Sequence, residues 1–91
     1  MEIKIKDKII TLKLSLRSLL AYENITGKNF NPQNFSDMLV FFYAVVITSS
    51  KDYSLTFDDF VDYLDENPVL LEQLSQWIST EMTTNNILKK N

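Results

Sequence analysis

The run Met38–Ile47, with the sequence MLVFFYAVVI, is the feature that most constrains how this chain can fold. Read as a helix, it has apolar side chains on every side, and such a helix must be covered on every side. At about 1.5 Å per residue the run extends roughly 15 Å, whereas a helix that crosses a bilayer needs about 20 residues. The run therefore lies inside a protein core, or another chain covers part of it.

The composition excludes several classes of function. The chain has no cysteine and no histidine, which removes disulfides, thiol catalysis, the usual imidazole base and nearly every zinc site. We therefore expect no catalytic residues, no metal and no cofactor. The net charge is −3 and the lysines and arginines are scattered along the sequence, which disfavours nucleic-acid binding. No stretch suits a signal peptide or a membrane anchor, so a cytoplasmic protein without a membrane partner is expected.

The N-terminal residues 2–14 alternate between apolar and polar side chains, which is typical of half-buried β-strands. A turn centred on Asp7-Lys8 would pair Ile5 with Ile10 and place both on one face. The pattern predicts a β-hairpin. Because a lone hairpin is marginal in water, its apolar face should pack on helices or on a neighbouring molecule.

Capping residues and apolar spacing predict four helices after the hairpin. Ser15 can cap the first helix, and Gly27 suits the left-handed residue at its end. The expected spans are 16–26, 36–48, 57–66 and 68–82, with a frayed tail over 83–91. The remaining caps are Asn34 or Ser36 for the second helix, Thr56 for the third, and Asn67, with Pro68 at the first helical position, for the fourth.

The apolar faces of these helices suggest how they pack. In the first helix a broad apolar arc should face the core; it consists of Leu16, Leu19, Leu20, Tyr22 and Ile25. The third and fourth helices carry one apolar stripe each, so the helices around the all-apolar run can surround it. We therefore predict a single domain over 1–91 of the α+β class, mainly α. An N-terminal β-hairpin is followed by about four helices packed around a central apolar helix.

Two acidic patterns could in principle hold a hard cation. Asp58, Asp62 and Asp65 share a helix face, and Thr48–Asp59 resembles a degenerate EF-hand loop. Charges at helical spacing are usually solvated surface. Calcium needs about six to eight oxygen ligands, several of them charged, and this loop keeps few carboxylates. We expect no metal site.

Sequence strings along most of the chain resemble one known family. The segment IKIKDKIITLKLSL runs into LRSLLAYENITGKNF, and after the apolar helix comes LTFDDFVDYLDENPVLLEQLSQWI. From Ile3 to about Met82, this resembles the small tail assembly chaperones of long-tailed bacteriophages and prophages. The most specific part is the helix Leu16–Thr26 with the Gly27-Lys28 that follows it, and the threonine-capped LTFDDFVDYL also matches.

This resemblance implies a non-enzymatic chaperone in the cytoplasm of a bacterial host, absent from the mature virion. Such chaperones bind the tape-measure protein, a long helical and partly apolar chain, and keep it soluble while tail tube subunits assemble around it. The resemblance thus implies the tape-measure protein as a partner, with the tail tube protein as a second candidate. The unusually apolar central helix suggests a homo-oligomer as well.

A chaperone of this kind needs apolar surface that a partner can cover. We expect that surface on an exposed edge of the apolar helix or on the open edge of the hairpin, with partner contacts of the helix-in-groove or strand-edge type. The candidate interface residues are Phe41, Phe42, Tyr43, Val46 and Trp77.

Two other functions compete with the chaperone. The first is a small helix-loop-helix adaptor or regulatory protein-binding module, with Thr48–Asp59 as an EF-hand-like loop that no longer binds calcium. The second is a small enzyme or a DNA-binding regulator. It is disfavoured because the polar face of the last helix lacks the basic residues of a recognition helix. That face carries Glu72, Gln73, Gln76 and Glu81.

Overall fold

The computed structural model describes residues 1–28, 34–50 and 54–85, the last three of them by their backbone. A two-stranded antiparallel sheet is followed by four helices, which confirms the predicted α+β, mainly α class. The elements are β1 (Glu2–Ile5), β2 (Lys8–Thr11), α1 (Leu16–Thr26), α2 (Phe35–Ser50), α3 (Phe57–Glu66) and α4 (Pro68–Asn85). Within these described ranges no helix has both the length and the apolarity needed to cross a membrane.

The hairpin turn lies one residue earlier than the sequence suggested, so the strand pairing is shifted by two residues. Its turn residues are Lys6 and Asp7, with φ of 50° and 66°, as a tight type I′ turn requires at both positions. Ile3 pairs with Ile10, so the predicted pairing of Ile5 with Ile10 is wrong. A shift of two residues keeps every side chain on its original face, and all three isoleucines are buried.

Helix α2 forms the centre of the core over most of its length. Phe41, Phe42 and Val46 are at most 1 % exposed. The cover comes from the same chain, through buried side chains of the hairpin, α1, α3 and α4: Ile3, Ile5, Ile10, Tyr22, Phe60, Leu64, Leu74 and Ile78. The N-terminal end of α2 is different, because Phe35 is 62 % exposed and Met38, Leu39 and Val40 are half-buried.

Helix α1 is rotated about its axis relative to the prediction. Its buried residues are Ser18 and Tyr22, whereas Leu16 and Leu20 are each 64 % exposed. The Ser18 hydroxyl lies 3.2 Å from the hydroxyl of Thr48, near the end of α2, and both side chains are buried. A serine facing α2 gives this pair a hydrogen bond inside the core, which a buried polar group requires. The expectation that Leu16, Leu20 and Ile25 face the core is therefore wrong.

A polar cluster links the end of α1 to the start of α2. The Lys28 ammonium lies 2.9 Å from the Asp37 carboxylate, and Asp37 is only 7 % exposed. Of the two caps considered for α2, Asn34 is the one observed, since its side-chain oxygen accepts a hydrogen bond from the backbone N–H of Asp37 at 2.8 Å. Next to this cluster the buried rings of Tyr22 and Phe41 meet edge to face with their centroids 6.1 Å apart.

Candidate protein-binding surface

The sequence-predicted interface residues fall in two environments. Phe41, Phe42 and Val46 have no more than 1 % of their surface accessible, because the other elements of the chain cover them. A side chain without accessible surface cannot contact a partner in the folded chain. These three residues therefore belong to the core of the folded chain, contrary to their selection as interface candidates. Tyr43 and Trp77 are half-buried and keep some accessible surface.

The structure does not bring Tyr43 and Trp77 together. Tyr43 packs edge to face on Phe57, with ring centroids 5.5 Å apart, and its hydroxyl donates a hydrogen bond to the backbone carbonyl of Leu55 at 2.5 Å. Burial raises the pKa of the Tyr43 hydroxyl. Its contacts thus fix the start of α3 against α2. Trp77 lines a separate shallow depression beside Leu16 at the start of α1.

A concave apolar surface lies where three helix ends meet, and we call it the α2–α4 groove. It is open to solvent on one side and has a volume of about 170 Å³. An apolar cavity of about 150 Å³ is enough to hold a benzene ring, so the groove has room for one large apolar side chain. It is formed by the first turns of α2, the last turns of α3 and the start of α4: Phe35, Leu39, Val61, Leu64, Asp65, Pro68 and Leu71.

The residues of the α2–α4 groove are graded from floor to rim. Leu64 is 6 % exposed, Leu39 and Val61 are half-buried, and Phe35 is 62 % exposed. An apolar concavity with a half-buried lining and one projecting aromatic ring is typical of surfaces that accept a side chain from a partner. The groove is therefore the strongest candidate binding site in the described part of the chain.

Sequence reasoning missed Phe35 and Leu39, and the predicted start of the second helix at residue 36 left Phe35 outside it. The predicted interface was placed in the middle of the apolar run, which the fold buries. Helix α2 has 16 residues and α3 has 10, so α3 cannot cover α2 along its whole length. Phe35 and Leu39 stand at i and i+4 on the end of α2 that remains open, and they share one face of that helix.

A second apolar surface is the α1 ridge, formed by Leu16 and Leu20. These two leucines are one helical turn apart and both project from the exposed side of α1, close to Arg17 and Glu23. Leu16 also lines the shallow depression that contains Trp77.

The edges of the hairpin, considered as sites for strand addition, are partly occupied by side chains of the helices. The Tyr63 hydroxyl donates a hydrogen bond to the backbone carbonyl of Lys4 in β1. The Ser49 hydroxyl accepts a hydrogen bond from the backbone N–H of Lys13, just after β2, at 2.9 Å. Such contacts hinder the pairing of another strand with the edge of the hairpin. The groove is consequently a better candidate than either edge.

Acidic residues do not converge on a cation site in the described ranges. Asp58, Asp62 and Asp65 are exposed on α3, and no group of three or more potential ligands comes together among the described residues. Of the segment compared with an EF-hand loop, Lys51–Tyr53 lies outside those residues. Thr48 is part of α2, where its hydroxyl donates to the carbonyl of Ala44 at 2.8 Å.

No family model, no curated protein and no solved structure matches this chain.

Proposed function

We propose that this protein is a non-enzymatic binding module that holds an apolar helical segment of another protein in the α2–α4 groove. The observation that carries the proposal is an apolar concavity kept open on a chain whose central helix is otherwise covered. A partner helix could place one large apolar side chain in the groove, which is the helix-in-groove mode of recognition. Phe35, at the rim, would be covered by the same partner.

Within this proposal, the partner is the one that the resemblance to tail assembly chaperones implies, the tape-measure protein. The groove holds segments of the tape-measure protein and keeps that chain soluble in the bacterial cytoplasm until tail tube subunits enclose it. The chaperone is then left out of the virion. The support is the order of elements from Ile3 to about Met82 and the presence of accessible apolar surface. Contacts with the tail tube protein and between copies of the chain belong to the same proposal.

Co-expression with the tape-measure protein encoded in the same genome tests this proposal. The chain should raise the soluble yield of that protein. Phe35→Ser should weaken the effect, since it removes the exposed ring at the groove. Val69→Ser is the matched control, because Val69 is 64 % exposed, close to the 62 % of Phe35, but does not line the groove. An unchanged yield with the natural chain would contradict the chaperone function.

A further inference from the structure

Among the described residues, the charges are divided between the hairpin and α1 with the residues adjoining them, which carry all the lysines and arginines, and the three later helices, whose charged residues are all acidic. Helices α2, α3 and α4 contain no lysine and no arginine. Their acidic residues are Asp37, Asp58, Asp59, Asp62, Asp65, Glu66, Glu72 and Glu81. The hairpin and α1, with the residues directly after α1, hold most of the basic ones: Lys4, Lys6, Lys8, Lys13, Arg17 and Lys28. The three helices that build the groove therefore present negative charge only.

Two of these acidic side chains are engaged by the basic half of the molecule. Asp37 pairs with Lys28 and Asp59 pairs with Lys6, each at 2.9 Å. Three further acidic residues of α3, at helical spacing, are exposed: Asp58, Asp62 and Asp65. Asp65 lines the groove itself, and the exposed Asp62 and Asp58 lie one and two turns earlier on α3. Asp62 also lines the depression that contains Lys6 and Asp59. The carboxylates thus continue from the groove along the exposed side of α3.

We propose that the α2–α4 groove selects helical partner segments in which lysine or arginine flanks the apolar anchor residues. This inference rests on the proposed function and names the chemistry of the segment bound. Lysine and arginine can lay their aliphatic stems on an apolar rim and bring their charges to the carboxylates of Asp58, Asp62 and Asp65. A segment flanked by glutamate would meet like charges there, with no basic residue of α2, α3 or α4 to offset them.

The size of the effect follows from the exposure of these carboxylates. Exposed ion pairs are weak individually, and salt screens them over about 10 Å at an ionic strength of 0.1 M. Their main effects are to steer association and to disfavour partners of the wrong charge. The groove supplies the apolar contact, and the acidic face of α3 decides which segments use it.

Three synthetic peptides test the inference directly. They share one helical sequence with leucine and phenylalanine anchors at i, i+3, i+4 and i+7, and differ only in flanking lysine, glutamine or glutamate. Fluorescence anisotropy with the full chain should show the lysine peptide binding about tenfold more tightly than the glutamine peptide at low salt, from a few weak ion pairs together. The glutamate peptide should bind most weakly, and the differences should shrink at high salt.

Matched variants test whether the preference for lysine depends on the carboxylates of α3. Asp58→Asn, Asp62→Asn and Asp65→Asn together should remove the preference for the lysine peptide. The control removes three acidic charges from the other half of the molecule, so its change in net charge is identical: Glu2→Gln, Asp7→Asn and Glu23→Gln. That control should keep the preference. If the α3 variant does not fold, as judged by circular dichroism, the peptide series on the natural chain decides.

The possible outcomes separate this inference from the proposed function. Equal affinity for all three peptides, lost in Phe35→Ser, would overturn the charge selection and leave the groove as a binding site. Self-association that Phe35→Ser abolishes, without peptide binding, would make a second copy the occupant and overturn the inference. A clear lysine preference without any gain in tape-measure solubility would uphold the inference and contradict the chaperone function.

Discussion

Asp37 is a charged side chain held almost out of water. Hydrogen bonding to the Lys28 ammonium is the main cause that lowers the pKa of its carboxyl, and the positive charge of Lys28 adds to it, while burial acts in the opposite direction. The pKa of the Tyr22 hydroxyl is raised, first by burial and then by the negative charge of Asp37. The ionised form of Asp37 is thus favoured in the folded chain, and its pairing with Lys28 joins α1 to α2.

Acid unfolding should therefore depend on Asp37. A carboxyl whose pKa is lower in the folded state stabilises the fold above its ordinary pKa, and this contribution disappears as pH falls through the lowered value. Asp37→Asn should lower the free energy of unfolding at neutral pH. It should also reduce the further loss of stability as the pH falls below about 4. Urea unfolding midpoints from neutral to acid pH measure both effects.

Asp59→Asn is the control for this experiment. The pKa of Asp59 is also lowered, first by its hydrogen bond with Lys6, but the side chains of that pair are 40 % and 66 % exposed. Exposed pairs contribute little, so Asp59→Asn should change the acid decline less than Asp37→Asn does. If the natural chain and Asp37→Asn lost equal stability between neutral and acid pH, this account of the Asp37–Lys28 cluster would be contradicted.

At the level of elements, the rotation of α1 marks the limit of what its sequence could predict. The helix begins after Ser15, whose side chain caps it, and ends at Gly27 with φ of 72°, as the capping signals indicated. The capping residues do not determine which face of the helix is buried. The apolar arc is wide enough to be compatible with several rotations of the helix about its axis. The decisive contact is between Ser18 and Thr48, and it depends on where α2 ends.

Two substitutions in α1 distinguish the observed rotation from the predicted one. Leu20→Ser should change the free energy of unfolding by no more than about 0.5 kcal/mol, since the side chain is largely exposed. Tyr22→Ala should cost about 3–5 kcal/mol, since it empties a fully buried site beside Phe41. Urea denaturation measures both, and a Leu20→Ser chain as unstable as Tyr22→Ala would show that the leucine faces the core.

The hairpin shows a similar limit. Alternation of side chains predicted two strands with Ile3, Ile5 and Ile10 inward, and all three are buried. Alternation repeats every two residues, so it cannot distinguish registers that differ by two. The turn decides between them, and here it uses Lys6 and Asp7 at positive φ without a glycine to mark the place.

Across the whole molecule, the apolar run predicted a covered central helix but not which of its ends stays open. That end is set by the short α3 and by the entry into α4 at Pro68, where the chain changes direction after Glu66. Phe41 and Phe42 were as plausible an interface as Phe35 while only the sequence was considered. The order of elements was predictable because caps and alternation are local signals, whereas the groove depends on how three helices meet.

Because residues of the same chain cover α2, a charge placed on either side of this helix should unfold the monomer. Phe41 and Val46 project from opposite sides of the helix, and both are 0 % exposed. Phe41→Asp and Val46→Asp should each unfold the monomer, because each buries a charge without a partner at a cost of several kcal/mol. Circular dichroism and light scattering check this. A folded monomer from either variant would mean that this side of α2 is normally covered by another molecule.

The position of the bound partner tests the account most directly. A tape-measure fragment that survives limited proteolysis of the co-purified complex can be titrated into the ¹⁵N-labelled chain and followed by NMR. The largest amide shifts should fall at Phe35, Leu39, Val61 and Leu71, around the α2–α4 groove. Shifts confined to the hairpin or to the α1 ridge, with those four amides unmoved, would contradict it.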